Sequence, residues 1–498
     1  DDLAKVKASM EASFIFGLQS VAGKVSTLAA NQTFKGDPNY IEQDIARYAS
    51  VTKADVMRVF KKYIKGQHGV IMSILPKGRL DLIAAEDNFT PAMRSQGKPS
   101  DTSASSLVVR KAKDNFDRSK MPKAEANKAV AVPQMWQETL TNGIKILGTQ
   151  SSETPTTTLL LKIPAGHYYS NKDQAGLVSL LASTLNESTT QRSAESMSNE
   201  LQKLGSSISI YAGTQYLNVN VSTLTKNLDA TMTLVNEKLM MPAFIESEFA
   251  RNKSNAIQGV INSKKDAGYL ASTAYRQLLQ ANNIAATSSQ GSEKSINNIN
   301  LDDIKTFYKQ QVKPFNSQLI VVSDLEENTL LKSFSILSSW QGKGKDLVLK
   351  LEKPETRVGI IYLVNKDDAA QSAIRIGKRS ITQDITGEYY KSYLMNFPLG
   401  GAFNSRINLN LREDKGYTYG ARSGFSADKF SGAYTASAEV RADATDKSII
   451  EFVNEINIYR EKGITSEELS FMRNSINQKD ALKYETPRAK LEFLAQIL

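Results

Sequence analysis

The chain contains no cysteine, which excludes disulfides, thiol catalysis and thiolate metal sites. That composition suits the cytoplasm or an exported protein folded without disulfides. Histidine is almost as scarce: there are two, His68 in "KGQHGV" and His167 in "PAGHYYS". A metal site needs several His or carboxylate ligands at defined spacing, so both read as a turn or strand-end residue rather than a ligand. No apolar run reaches the about 18 residues of a membrane-spanning helix. The Walker A pattern and the G-x-G-x-x-G fingerprint are both missing, which argues against phosphate-loop chemistry. The net charge of +10, from 62 Lys and Arg against 52 Asp and Glu, is spread along the chain. Without a basic stripe, nucleic acid is not an expected partner.

What is present is an ordinary globular composition, 41% hydrophobic and 23% charged. At 498 residues it is too long for one core. Asp1-Asp2-Leu3 opens directly on a helical pattern and "KLEFLAQIL" stops inside one, so both ends are expected to be cuts through a larger polypeptide. Leu3, Val6, Met10, Phe14, Leu18, Val21 and Val25 recur at three and four, predicting a helix over residues 1–30. Gly36-Asp37-Pro38 breaks the chain. Thr52 with Asp55 is a capping-box start for a helix at 55–65, and "GVIMSILP" follows as a short strand.

Between about 84 and 133 the chain is polar and aperiodic, a linker. Beyond it, "MWQETLTNGIKILGTQ" reads as a hairpin around Asn142-Gly143, a dipeptide favoured in type I′ turns. "TPTTTLLLKIPAG" is a strand and "DQAGLVSLLASTLNE" a buried helix. A further helix stops at Gly205, and "SSISIYAG" with "QYLNVNVSTLT" forms a second hairpin. "SQLIVVSD", "RVGIIYLVN" and "GAYTASAEVRA" read as strands.

Two segments echo each other: "KADVMRVFKKYIKGQHGVIMSI" at 53 and "LDDIKTFYKQQVKPFNSQLIVV" at 301. "DDLAKVKASM" at 1 likewise resembles "EELSFMRNSI" at 467. Such distant repeats indicate duplicated domains, and the order of hairpins and helices predicts an α+β fold of repeated antiparallel sheets covered by helices. The expected division is the end of one domain at 1–83, the linker at 84–133, a complete domain at 134–335 and another at 350–498.

The chemically dense stretch is "LGGAFNSRINLNLREDKGYTYG", residues 399–420. Phe403, Ile407 and Leu411 fall on one face at spacing four, predicting a helix over 402–412 that ends near Arg412. Tyr417 and Tyr419, two apart, would face the same way on the following strand. An Arg fork and a Tyr hydroxyl can converge on one carbonyl. On chemistry alone the plainer arrangement is favoured: Arg412 paired with Glu413, Asp414 or a helix C-terminus, and the tyrosines packed on a sheet.

The same stretch resembles the C-terminal signature of the insulinase/pitrilysin family of zinc peptidases, the inverzincin type. That signature runs L-G-G-x-x-x-S-R-L-x-x-x-L-R-x-x-x-G-x-x-Y. Gly400, Gly401, Ser405, Arg406, Leu411, Arg412, Gly416 and Tyr419 match it, and Ile407 stands for Leu. "LTNGIKIL", "AQSAIRIG", "GITSEEL", "LVNEKLMMPAFIESEF" and "FDRSKMP" extend the likeness over nearly the whole chain.

The resemblance implies four homologous α+β domains in two halves that close around an unfolded peptide. It implies Arg412 and Tyr419 as the groups acting on the substrate carbonyl, with Gly400, Gly401, Arg406 and Tyr417 in the substrate-binding segment. The family holds zinc on H-x-x-E-H plus a distant Glu. Here the five motif positions are Ser179, Leu180, Leu181, Ala182 and Ser183, and residues 249–265 hold no Asp or Glu. The chain is therefore expected to bind no metal itself. It would be the C-terminal, non-catalytic half of a zinc endopeptidase, with zinc in an N-terminal half of the same polypeptide and a peptide as substrate. The alternatives are an inactive scaffold or peptide-binding relative, or a subunit completing the site of a separate catalytic subunit. A periplasmic location is expected, with the cytoplasm as the alternative, and self-association is left open.

Overall fold

The computed structural model describes residues 2–86, 88, 117–120, 130–281, 283–349, 351, 359–384 and 386–497. Most of the expected linker at 84–133 lies outside the described residues. The chain divides into two compact units, one of Asp1–Ser50 with Ala129–Leu498 and one of Val51–Lys128.

The larger unit begins with helices α1 (Asp2–Gly17), α2 (Val21–Lys35) and α3 (Ile41–Ser50). The expected single helix over 1–30 is interrupted after Gly17, because the Ser20 side chain accepts from the Gly23 N–H and starts α2 as its N-cap. The smaller unit carries α4 (Lys53–Tyr63), which starts where the capping box predicts: Thr52 and Asp55 satisfy each other's backbone N–H. The segment after it, "GVIMSILP", is not a strand in the structure but irregular and exposed. A strand needs a neighbouring backbone to pair with, and no described strand offers one there.

In the larger unit the first sheet is built from β1 (Trp136–Thr139), β2 (Lys145–Gln150), β3 (Thr156–Ile163), β4 (Ser207–Ala212), β5 (Leu217–Leu224) and β6 (Gln318–Ser323). Their order is β1-β2-β6-β3-β5-β4, and every pair is antiparallel except β2 with β6. In the β1–β2 turn only Gly143 takes a positive φ, so the connection is not the two-residue type I′ turn. Asn142 instead turns inward and donates to the carbonyls of Leu337 and Trp340.

The helices of this part are α5 (Leu177–Leu185), α6 (Ala194–Leu204), α7 (Leu228–Met240), α8 (Glu246–Ser263), α9 (Ala267–Gln280), α10 (Glu293–Asn297), α11 (Leu301–Gln311) and α12 (Glu327–Phe334). Alternation along the central strands sends side chains into two cores. Leu319 and Val321 of β6 join Leu159 and Leu161 under α5, α7 and α8, while Ile320 and Val322 meet Leu491 and Leu494 on the opposite face. Those two leucines lie on α17 (Pro487–Ile497), described below, so the chain's last helix covers the first sheet.

The second sheet contains β7 (Gln371–Ser380), β8 (Thr418–Ala427) and β9 (Gly432–Arg441), ordered β7-β9-β8 and antiparallel throughout. With it go α13 (Glu388–Asn396), α14 (Arg406–Asn408), α15 (Thr445–Lys462), α16 (Ser466–Leu482) and α17. Its core gathers Ile374, Leu399, Ile407, Leu411, Val440 and Phe452. The "RVGIIYLVN" segment, described from residue 359, is likewise irregular rather than a strand. Side chains tie this sheet to the first part: Tyr275 of α9 donates to the Tyr434 carbonyl, and Tyr168 donates to Asp428 at 3.0 Å. Asp428 in turn accepts from the N–H groups of Phe430 and Ser431, holding the β8–β9 turn.

Candidate functional site

The stretch at 399–420 is helical but not uniform. A π-helical turn, Phe397–Gly401, runs out of α13. After a break at residues 402–405, α14 continues into a second π-helical turn, Leu409–Asp414. Single π turns are uncommon and recur at functional sites. Ile407 and Leu411 are completely buried, as their spacing predicts. Phe403 is not: it precedes the helix and is exposed, its ring 4.6 Å beneath the Arg412 guanidinium.

Arg412 lies in the second π turn with its Nε 3.5 Å from a Glu413 carboxylate oxygen. The contact is solvent-accessible on both sides and contributes little, ~1 kcal/mol or less. The guanidinium thus rests on an aromatic face, and its side chain is one-third exposed. Gly416, at φ 63°, reverses the chain after the π turn, and the Tyr417 N–H donates to the Leu411 carbonyl.

Tyr417 precedes β8 and is half-buried, whereas Tyr419 is 92% exposed. The two tyrosines differ because β8 slips register against β9 between Thr418 and Ala421. The irregularity places Tyr419 and Gly420 outside regular pairing, a device that re-aims side chains beside active sites. Gly400 is buried against β8, where a Cβ would run into the Ser423 Oγ and backbone nitrogen. Gly401 is exposed, close to the Asn396 carbonyl.

Arg406 has a different environment from Arg412. Its Nε and Nη2 hold both carboxylate oxygens of Glu468 at 2.5 and 2.7 Å, and Nη2 also donates to the Gly463 carbonyl. The guanidinium stands 4.8 Å over the Tyr459 ring. Hydrogen bonding from Arg406 holds the Glu468 carboxyl below the usual carboxylate range. Glu468 also accepts from the Thr465 N–H in the capping box that starts α16, so this fork ties α14 to α16.

Three polar residues that the motif reading passed over join the helical stretch to β8. Asn408 is buried, donates to the Phe403 carbonyl at 2.7 Å and accepts from the Ala421 N–H at 2.9 Å. Asn396 donates to the Ser423 carbonyl and accepts from the Ser423 hydroxyl. A polar residue directly after Ile407, whose side chain the spacing predicts to be buried, was the available signal for Asn408.

The helix corresponding to the family's zinc helix is α5. Leu180, Leu181 and Ala182 are buried in the first core. The Ser179 hydroxyl donates to the Ser289 carbonyl and the Ser183 hydroxyl to the Ser179 carbonyl. This donor set has no imidazole or carboxylate and does not fit zinc. Among the described residues no cluster of three His, Cys, Asp or Glu could hold a metal ion.

A two-sheet α+β architecture whose α5 carries apolar and hydroxyl residues at the five motif positions, followed by a glycine–arginine–tyrosine segment, describes a member of a peptidase fold. Residues 145–288 match the insulinase family, peptidase family M16, and residues 298–476 match the peptidase M16 inactive domain. The chain is a relative of the insulinase family. It is 28% identical to the non-peptidase homolog YmxG of Helicobacter pylori, over 66% of this chain and 76% of that protein. It is 20% identical to an uncharacterized zinc protease, YmxG of Bacillus subtilis, over 71% of this chain and 85% of that one.

In fold it is similar to a peptidase M16 inactive domain from Pseudomonas fluorescens, with a TM-score of 0.65 at 22% identity over 73% of this chain and 90% of that one. It is also similar to the periplasmic protease PqqL of Escherichia coli, with a TM-score of 0.62 at 13% identity over 90% of this chain but 46% of that one.

Proposed function

We propose that this chain is an inactive, peptide-positioning relative of the insulinase fold, the non-catalytic half of a zinc endopeptidase whose metal site lies elsewhere. The observation that carries the reading is a contrast. The five zinc-motif positions are Ser179, Leu180, Leu181, Ala182 and Ser183, packed or hydrogen-bonded to backbone. Arg412 and Tyr419 keep their matched positions and reach solvent. Residues 134–335 and 350–498 would be the third and fourth domains of such an enzyme, and residues 1–83 the end of the second.

In this reading the chain does no bond-breaking. Arg412, braced on Phe403, and Tyr419, presented by the irregular start of β8, donate hydrogen bonds to the carbonyl of an extended peptide. Those donors favour the charge that develops on that oxygen when another part of the enzyme attacks it. Gly400 and Gly401 set the backbone beneath the peptide, and Arg406 holds α14 against α16. A second reading, a scaffold with no peptide role, is favoured by the name of the Helicobacter relative, a non-peptidase homolog. A periplasmic location fits the lack of cysteine and the periplasmic fold neighbour.

The test is metal content with hydrolysis. The purified chain is expected to carry far less than one zinc per chain and to cleave no unfolded peptide after zinc is added. One tightly held zinc per chain, or cleavage abolished by a chelator, would overturn the proposal.

A further inference from the structure

We propose that Asn186 is a latch on the edge of the first sheet: its carboxamide takes the place of one residue of a neighbouring strand and keeps an extended peptide from adding to β4. The two sheets carry the same device at the same place. Thr156 opens β3 opposite Leu224, the last residue of β5, and a 3₁₀ turn and α7 follow. Gln371 opens β7 opposite Arg441, the last residue of β9, and a 3₁₀ turn and α15 follow. Counted back equally from those strand ends, Val219 corresponds to Ala436. Val219 pairs with Ile210 of β4, and Ala436 pairs with Ser423 of β8. Ile210 and Ser423 therefore hold equivalent positions, each on the last strand in the order of its sheet. The first α-helix after β3 is capped by Asn186, and the first after β7 ends in Asn396. Those two asparagines meet Ile210 and Ser423 respectively.

The Asn186 Nδ2 donates to the Ile210 carbonyl at 2.8 Å, and its Oδ1 accepts from the Ile210 N–H at 3.1 Å. Those are the two bonds that a facing residue of an antiparallel strand makes. The same Nδ2 donates to the Ala182 carbonyl at 2.9 Å, fixing the carboxamide against α5. The Asn186 carbonyl accepts from the buried Lys238 ammonium at 2.8 Å, which anchors the backbone beneath the latch. Asn186 is itself exposed, yet its carboxamide is spent on backbone groups rather than on water. The Gly213 N–H donates to the Tyr216 carbonyl at the β4–β5 turn, so alternation turns the backbone groups of Ile208, Ile210 and Ala212 away from β5.

Outward N–H and C=O groups on such a strand are a template for another chain. A strand added along β4 must bond Ile208, Ile210 and Ala212 in turn, and Asn186 already holds the middle one. The addition would break both Asn186 bonds to gain its own. The equivalent residues of β8 are Ala421, Ser423 and Phe425, and a side chain meets each of them. Asn408 accepts from the Ala421 N–H, Asn396 donates to the Ser423 carbonyl, and the Tyr389 hydroxyl donates to the Phe425 carbonyl at 3.4 Å. On β4 the outward groups have one such side chain among the described residues, Asn186, so a single substitution opens that edge. The proposal is independent of the roles given to Arg412 and Tyr419, which belong to the segment around β8.

The test is amide exchange at Ile210 with a defined strand in solution. The probe is a peptide of residues 217–224, "LNVNVSTL", which is the sequence that already pairs with β4 on its inner side. In the unchanged chain the Ile210 amide should exchange slowly, and the peptide in excess should not alter the rate. In Asn186→Ala the same amide should exchange at least about tenfold faster. The peptide should then slow it again by at least about fivefold, because an added strand takes the freed N–H. The peptide carrying Val219→Pro and Val221→Pro, which cannot extend a ladder, should give no such protection. Ser209 and Tyr211, whose N–H groups turn toward β5, are the internal controls and should keep their rates. An Ile210 amide as slow in Asn186→Ala as before would overturn the proposal. So would equal acceleration at Ser209 and Tyr211, since the asparagine would then merely hold the sheet together. Failure of the peptide to slow Ile210 in Asn186→Ala, or equal protection by the proline form, would overturn it as well.

Discussion

Replacing Glu468 by Gln leaves the Arg406 guanidinium, 17% exposed, facing a neutral amide in place of a carboxylate. One carbonyl oxygen remains to serve the Thr465 N–H or one arm of the fork, but not both charged contacts. Losing a charge-assisted bidentate pair of this burial costs about 1–3 kcal/mol. Arg406→Ala removes the same pair, the bond to the Gly463 carbonyl and the stacking on Tyr459, and costs about 2–4 kcal/mol. The double variant should fall short of the sum by about 1–3 kcal/mol, because each single change already removes the shared interaction. The assay is native-state amide exchange of α16, whose first turn the fork holds. Tryptophan fluorescence serves as the internal control: Trp136 and Trp340 both pack in the first core, so its unfolding transition should not move. Arg406→Lys should behave nearly like Arg406→Ala, because an ammonium cannot span both oxygens. Additive effects within about 0.5 kcal/mol would refute the clamp and return Arg406 to the substrate-binding residues.

Two further predictions follow from buried polar groups. His167 is buried, and that burial pulls its imidazole from 6.5 down to about 4. The unfolded chain therefore binds the proton first as pH falls. Stability should be unaffected by this residue above pH 6.5 and lost between 6.5 and 4, by about 3 kcal/mol in all, while His167→Gln should flatten that slope in acid unfolding. An unchanged slope would contradict the buried neutral imidazole. Asn408→Ala removes its hydrogen bond to β8, at the Ala421 N–H, together with its bond to the Phe403 carbonyl, costing about 2 kcal/mol. Exchange of the Ala421 amide should then accelerate by about 30-fold, and a change under about threefold would show that β8 holds its place without Asn408.

Much of this was legible in local pattern. The buried positions Ile407 and Leu411, the capping box at Thr52 and the helix stop at Gly205 follow from spacing and backbone preference, which act over a few residues. Strands were read less well, because a strand is made by its partner. "VIMSIL" and "GIIYLV" have the composition of central strands, yet neither has a neighbour among the described strands and both remain irregular. The resemblance put Arg412 on the substrate carbonyl and Arg406 in the substrate-binding segment, but gave neither its surroundings. Only the tertiary path of α16 separates them, bringing Glu468 to the first and leaving the second against Phe403. Likewise the register slip in β8, which exposes Tyr419 and half-buries Tyr417, has no signature in a run such as "YTYG".

Peptide binding tests the central claim most directly. A fluorescent unfolded peptide is titrated with the purified chain in the presence of a chelator and followed by anisotropy. The account predicts saturable, zinc-independent binding that weakens by about tenfold or more in the Arg412→Ala, Tyr419→Phe double variant, in line with the loss of two hydrogen bonds to a carbonyl. Binding that needs zinc, or an affinity that the double variant leaves unchanged, would contradict it.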